Sequence, residues 1–143
     1  MRTNLPNEIP DVITRPALAA SVPDLMEFVS QQAWEYGFHD EQIKGLAAAV
    51  EEALHNILVH ACHGREGEIR VSCSIHMSGA LQIIITDTGI PFNMLLASAF
   101  PEADDVTESG EIPSTRVMKK AVKNIEYKRD KSENTLIFMV PKE

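Results

Sequence analysis

Basic residues are scarce in this chain of 143: 13 Lys and Arg stand against 21 Asp and Glu, a net charge of −8. That balance argues against DNA or RNA as the main partner, because binding phosphates takes clustered Lys and Arg. One locally basic tract exists (Arg116, Lys119, Lys120, Lys123, Lys128, Arg129), and the solvated faces of a helix and a strand explain it as well. Cysteine is nearly missing. Cys62 and Cys73 are the only two, too few for an exported disulfide scaffold, so a cytoplasmic protein with reduced thiols is expected. No apolar run reaches the roughly 18 residues that span a membrane. The opening Met1-Arg2-Thr3-Asn4-Leu5-Pro6 lacks the apolar core of a signal peptide. What is left is 44% hydrophobic and 24% charged, ordinary for a soluble globular protein. The length suits one core and is short for two.

The stretch that organises the chain runs from Ala47 to Ala61. It holds no Gly or Pro and is rich in Ala and Leu, so helix is its natural state. At about 100° per residue, Leu46, Val50, Leu54, Ile57 and Ala61 share one face. Glu52, Asn56 and His60 follow a spacing of four and form a ridge beside it. A carboxylate, an amide and an imidazole bordering a core mark a place where a ligand can sit. The plainer reading is an ordinary amphipathic helix with a solvated flank.

Around this helix the rest falls into order. Residues 1–20 carry Pro6, Pro10 and Pro16 and read as extended, with Val12-Ile13-Thr14 as a short edge strand. Ser21-Val22-Pro23-Asp24 starts a helix, with Ser21 as cap. That helix runs to about Tyr36, with Leu25, Phe28, Val29, Ala33 and Trp34 as inward candidates, and Gly37 ends it. The second helix begins near Asp40, its candidate cap, and reaches about Cys62. Residues 69–75 and 81–86 alternate as a hairpin about Ser78-Gly79. Asp87-Thr88-Gly89-Ile90-Pro91-Phe92 leaves the sheet sharply. A short helix is expected from Asn93 to about Phe100, then an acidic, turn-rich loop to Pro113. Ser114 or Thr115 caps a third helix through about Lys123. Strands 124–129 and 135–140 flank a turn at 130–134. The pattern predicts an α+β two-layer sandwich: a mixed, mostly antiparallel sheet covered by helices on one face. We see no repeat, low-complexity tract or linker, so 1–143 is expected to be one domain, with an extended segment at 1–10 and a lid-like loop at about 93–113.

Two motifs combine. Glu52-x-x-x-Asn56-x-x-x-His60 on a helix is followed, about 30 residues later and across a hairpin, by Asp87-x-Gly89-x-Pro91-Phe92 at a strand exit. Together they resemble the N box and first glycine box of the GHKL (Bergerat-type) ATP-binding fold shared by gyrase, the heat-shock chaperone, histidine kinases and MutL. Pro91-Phe92 and the tail Met118–Tyr127 with Asn134-Thr135-Leu136 are most similar to the anti-sigma factor and serine-kinase branch. The resemblance covers roughly Pro6 to Val140. It implies ATP and Mg²⁺ as cofactors, a sigma factor and an antagonist protein as partners, and a homodimer as one option. In that setting Asp87 would accept from the adenine amino group. Gly89 would let the backbone approach the base, with Pro91 beside it. Asn56 would offer its amide oxygen to Mg²⁺. Glu52 would be the general base toward a serine hydroxyl or a water. His60 contacts the ligand or packs at the helix end.

One departure separates two readings. Where the family has a second glycine box, this chain has Ile112-Pro113-Ser114-Thr115. Such glycines let backbone N–H groups wrap phosphates, and Pro113 removes one donor. Ser114 and Thr115 hydroxyls and the helix dipole would have to compensate, with Gly110 as an alternative. An ATP-dependent serine kinase is therefore weighed against a degenerate protein-binding module without nucleotide turnover. A detached histidine-kinase ATPase domain is a third option, disfavoured by Pro91-Phe92. His55, His60, Cys62 and His63 make a soft-ligand cluster, but a histidine-rich helix end is more simply a favourable cation placement. Asp104 and Asp105 read as a solvated loop.

Overall fold

A computed structural model describes residues 11–97 and 111–143. The extended segment expected at 1–10, most of the acidic loop, Gly110, Asp104 and Asp105 lie outside the described residues.

Strand β1 (Asp11–Pro16) leads through a single 3-10 turn into helix α1 (Val22–Glu35). Gly37, at φ +88°, ends α1: Gly37 N–H bonds the Trp34 carbonyl and Phe38 N–H the Ala33 carbonyl, a Schellman closure. Helix α2 (Asp40–Asn56) continues into a π-helical turn (Ile57–Cys62). Strands β2 (Glu68–Ile75) and β3 (Leu81–Asp87) form the expected hairpin, with Gly79 at φ +89° in its turn. Helix α3 (Arg116–Ala121) precedes β4 (Asn124–Asp130) and β5 (Glu133–Val140).

The five strands form one sheet in the order β1-β2-β3-β5-β4. Among the described residues every pairing is antiparallel, where the sequence pattern predicts a mixed, mostly antiparallel sheet. Period-2 alternation sends Ile69, Val71 and Cys73 of β2, Leu81, Ile83 and Ile85 of β3, and Leu136, Phe138 and Val140 of β5 into one core with the helices. Leu25, Val29 and Ala33 of α1 and the predicted face of the second helix, Leu46, Val50, Leu54, Ile57 and Ala61, complete that core. Each large aliphatic side chain taken out of water there contributes about 1.5–3 kcal/mol.

Several details differ from expectation. Trp34 is 53% exposed, because the buried stripe of α1 is Leu25, Val29, Gln32 and Ala33. Ser21 sits at the N-cap position of α1 in helical geometry and its side chain caps nothing; Asp40 lies inside α2, with extended His39 at the cap position. In place of a helix from Asn93, one 3-10 turn (Met94–Leu96) forms, capped by Asn93 accepting from Leu95 N–H at 3.0 Å. The third helix stops at Ala121, since Val122 is already extended, and Thr115 makes no side-chain cap.

Candidate functional site

The site grows from the strand register. Asp87 continues the inward series Ile83, Ile85 and is buried. It pairs directly with Asn134 on β5, which in turn pairs with Arg129 on β4. Both hydrogen bonds to Asp87 fall on Oδ1, from Gly89 N–H at 2.9 Å and from the Asn134 amide at 2.9 Å. Among the described residues no donor reaches Oδ2. Burial raises the Asp87 pKa above its ordinary value, while the Asn134 and Gly89 hydrogen bonds and the Arg129 charge oppose that rise. Arg129 fixes the turn by donating to the Gly89 carbonyl at 2.8 Å.

Gly89 is required by packing. A Cβ there would lie 2.5 Å from the Ala61 carbonyl oxygen and 2.6 Å from its carbon. The same carbonyl accepts from Ile90 N–H at 2.9 Å. Ala61 is the penultimate residue of the helix, where carbonyls have no partner inside it, so the strand exit seats directly on the end of the organising helix. Phe92 lies against the buried His60 ring, centroids 5.1 Å apart. Pro91 is exposed. Burial lowers the His60 pKa, with His55 and His63 acting in the same sense and Glu111 against it. His60 is thus a buried ring packed on Phe92 at the helix end. Among the described residues no group of three or more metal-ligating side chains forms.

Glu52 and Asn56 project toward α3. Asn56 is buried and donates to the Ser114 carbonyl at 2.7 Å, with Met94 Sδ at 3.8 Å. Its oxygen accepts from no donor among the described residues. Glu52 is no solvated flank. It accepts from Met118 N–H at 2.9 Å, Val117 N–H at 3.3 Å and the Ser114 hydroxyl at 3.2 Å. The first turn of α3 is thus capped jointly: Ser114 Oγ accepts from Arg116 N–H at 3.5 Å, and Glu52, 62 residues from Ser114 in sequence, accepts from Val117 and Met118 N–H. Thr115 is fully buried and donates to the Ala97 carbonyl at 3.3 Å, which also receives Lys119 Nζ at 2.8 Å.

The structure therefore gathers Glu52, Asn56 and Ser114 at one edge of the helix layer, and Asp87, Gly89, Pro91, Phe92 and His60 at the end of β3. Asn134 and Tyr127 are additions that motif reading missed. The signal was present: Asn134 is the polar member of the inward series that continues with Leu136, Phe138 and Val140. A cavity of about 500 Å³ between α2 and α3, lined by Leu46, Val117 and Val140 among others, contains none of these residues.

Compared with known proteins, residues 15–140 match the histidine kinase-like ATPase domain family. The chain belongs to that family. No curated protein matches it significantly. Among solved structures, it is similar to the RsbU and RsbW domains of a Mycobacterium tuberculosis protein, at 15% identity and a TM-score of 0.64 over 93% of this chain and 32% of that one. It is also similar to a blue-light activated histidine kinase of Erythrobacter litoralis, at 15% identity and a TM-score of 0.55 over 87% of this chain and 41% of that one. The histidine kinase domain of that protein gives 16% identity and a TM-score of 0.51, over 85% and 59%. The chain thus spans about a third to three-fifths of the solved chains it matches. These likenesses show the fold.

For a histidine kinase-like ATPase domain, the donor set at the base and metal positions fits. Asp87 keeps one acceptor oxygen that takes no donor among the described residues, and Asn56 an amide oxygen of the kind a hard cation takes. The phosphate end fits less well: the Ser114 hydroxyl and the Val117 and Met118 N–H groups are already bonded to Glu52, and Arg116 N–H to Ser114 Oγ. No helix among the described residues is long and apolar enough to cross a membrane.

Proposed function

We propose that this chain is a single-domain, cytoplasmic ATP-binding regulator of the anti-sigma-factor kind, taking ATP with Mg²⁺ and acting on a sigma factor and an antagonist protein. The observation that carries the reading is the buried Asp87 carboxylate with one oxygen saturated and the other left for a donor. An adenine amino group supplies that donor. Once a bound base covers that oxygen, leaving it unmatched costs about 1–3 kcal/mol, which is the basis of selectivity. Asn56 would hold Mg²⁺ by its amide oxygen, and the metal would neutralise phosphate charge. Likeness to a structure containing an RsbW domain supports the regulatory class.

The serine-kinase step is the finer part of this proposal. Glu52 would serve as general base, polarising a serine hydroxyl of the antagonist. Its oxygens hold α3 in the present arrangement, so base action requires α3 to release them. That contact favours a second reading, a protein-binding module that keeps the fold without turnover.

Calorimetric titration with an ATP analogue and Mg²⁺, wild type beside Asp87→Ala, tests the first reading. Micromolar binding lost in the variant supports it. Absence of heat at millimolar nucleotide in folded wild type overturns it and leaves the binding module. If ATP binds, phosphorylation of the antagonist by wild type and not by Glu52→Ala supports the kinase step.

A further inference from the structure

Asn134 makes four hydrogen bonds with one buried amide. Its nitrogen donates to Asp87 Oδ1 at 2.9 Å and to the Ile90 carbonyl at 2.8 Å. Its oxygen accepts from Tyr127 Oη–H at 2.6 Å and from Phe92 N–H at 3.2 Å. The Tyr127 hydroxyl and the Phe92 amide both address the same end, so the amide has one workable orientation. A flip would set its oxygen against the Asp87 carboxylate and the Ile90 carbonyl, and its nitrogen against an N–H donor.

We propose that Asn134, locked by Tyr127, is a positioning residue for base recognition: it holds the Asp87 carboxylate so that Oδ2 alone is offered to a ligand, selecting a purine edge that carries an amino group over one that carries a keto group. This rests on the reading of Asp87 as the base acceptor. The logic is one of charge as well as direction. An ionised carboxylate only accepts, and so repels a keto oxygen; a protonated one can donate to it. Burial drives Asp87 toward the protonated form, and the Asn134 N–H is the foremost side-chain contact holding it back. Other groups facing this carboxylate are Arg129 on β4, which favours ionisation, Glu133 on β5, which opposes it, Tyr127 on β4, and the Cys62 thiol on the π turn. Asn134 and Gly89 together occupy Oδ1, leaving no second acceptor direction for a mismatched base to use.

The experiment pairs two readouts on wild type, Asn134→Ala and Tyr127→Phe, each checked for folding by circular dichroism. Carboxyl-carbon NMR follows the titration of Asp87 without nucleotide. Calorimetry compares non-hydrolysable ATP and GTP analogues with Mg²⁺. We expect the Asp87 titration to move to higher pH in both variants. The preference for ATP over GTP should fall about tenfold in Asn134→Ala, the equivalent of one lost charge-assisted hydrogen bond, and by less in Tyr127→Phe. A general packing defect would weaken both nucleotides alike and leave their ratio intact. Unchanged Asp87 titration with an unchanged ratio overturns the proposal while leaving ATP binding standing. Wild type that binds neither nucleotide overturns both readings together. Should Asn134→Ala fail to fold, Tyr127→Phe, which removes a single hydroxyl, carries the same comparison.

Discussion

The Glu52 carboxylate crosses from α2 to bond the backbone N–H of Met118 at 2.9 Å. One helix thus caps another, and the third helix, only six residues long, is held in place by a side chain from outside itself. Short helices are marginal on their own, and a carboxylate at the positive helix end is favourable.

Glu52→Ala should lower the unfolding free energy by about 1–2 kcal/mol, as loss of a cap does. Hydrogen exchange at Val117 and Met118 should quicken more than in the sheet. Glu52→Gln should recover part of the loss. A Glu52→Ala protein with unaltered denaturation and exchange would contradict the cap.

Three glycines should rank in a fixed order. A Cβ at Gly45 meets nothing within 4 Å, so Gly45→Ala should gain roughly 0.5–1 kcal/mol from helix propensity. At Gly67 the obstacle is the Thr88 hydroxyl at 2.7 Å, a side-chain atom that can turn away once its bond from Glu68 N–H is given up. At Gly89 it is backbone at 2.5 Å, and Gly89→Ala should cost about 1–3 kcal/mol. Thermal melts of the three variants settle the order; a Gly89→Ala protein as stable as wild type would refute the close seating on Ala61.

His60 ties stability to pH with a definite sign. Its folded pKa lies below the ordinary value of 6.5, so the unfolded chain binds that proton more tightly. The stabilisation is complete above 6.5 and is lost as pH falls from there through the folded value. Denaturation from pH 8 to pH 5 should show this loss in wild type and a reduced loss in His60→Phe. Equal slopes in the two proteins would exclude His60 as the source.

Both cysteines should be inert in the folded state. Burial pushes the Cys62 thiol up to about 11 and Cys73 up to about 12, so little thiolate exists at pH 8. Labelling with a thiol reagent should be slow natively and rapid in denaturant. Prompt modification of Cys73 without denaturant would show that β2 opens.

Much of this architecture was legible because it is periodic. Leu46, Val50, Leu54 and Ile57 announce their helix by spacing, and residues 69–75 announce a strand by alternation. Asp87 and Gly89 were legible as a motif, although the structure gives Gly89 a packing reason that the motif does not contain. Asn134 was hidden because residues 130–134 read as a turn, whereas the turn is tighter, with Lys131 at φ +52° and the strand already under way at Glu133. Counting back by twos from Leu136 would have placed it on the inner face. Glu52 could be found as a polar ridge residue but its partners could not, since Val117 and Met118 lie 65 and 66 residues away and no spacing rule spans such a gap. The π turn has no periodic signature, because the helix ends at Cys62 and no apolar pattern follows whose phase would reveal it.

Asp87, Asn134 and Arg129 stand in one row across three strands, in the same frame as Ile85, Leu136 and Phe138. Recognition and folding therefore share a single error check. Sliding β5 by one residue would replace Asn134 beside Asp87 with an outward-facing neighbour and, in the same step, turn Leu136, Phe138 and Val140 to water. A chain that misreads the site also forfeits its core, so a population of well-folded molecules with a scrambled carboxylate pocket does not arise by this route, and the pocket inherits its accuracy from the hydrophobic interior.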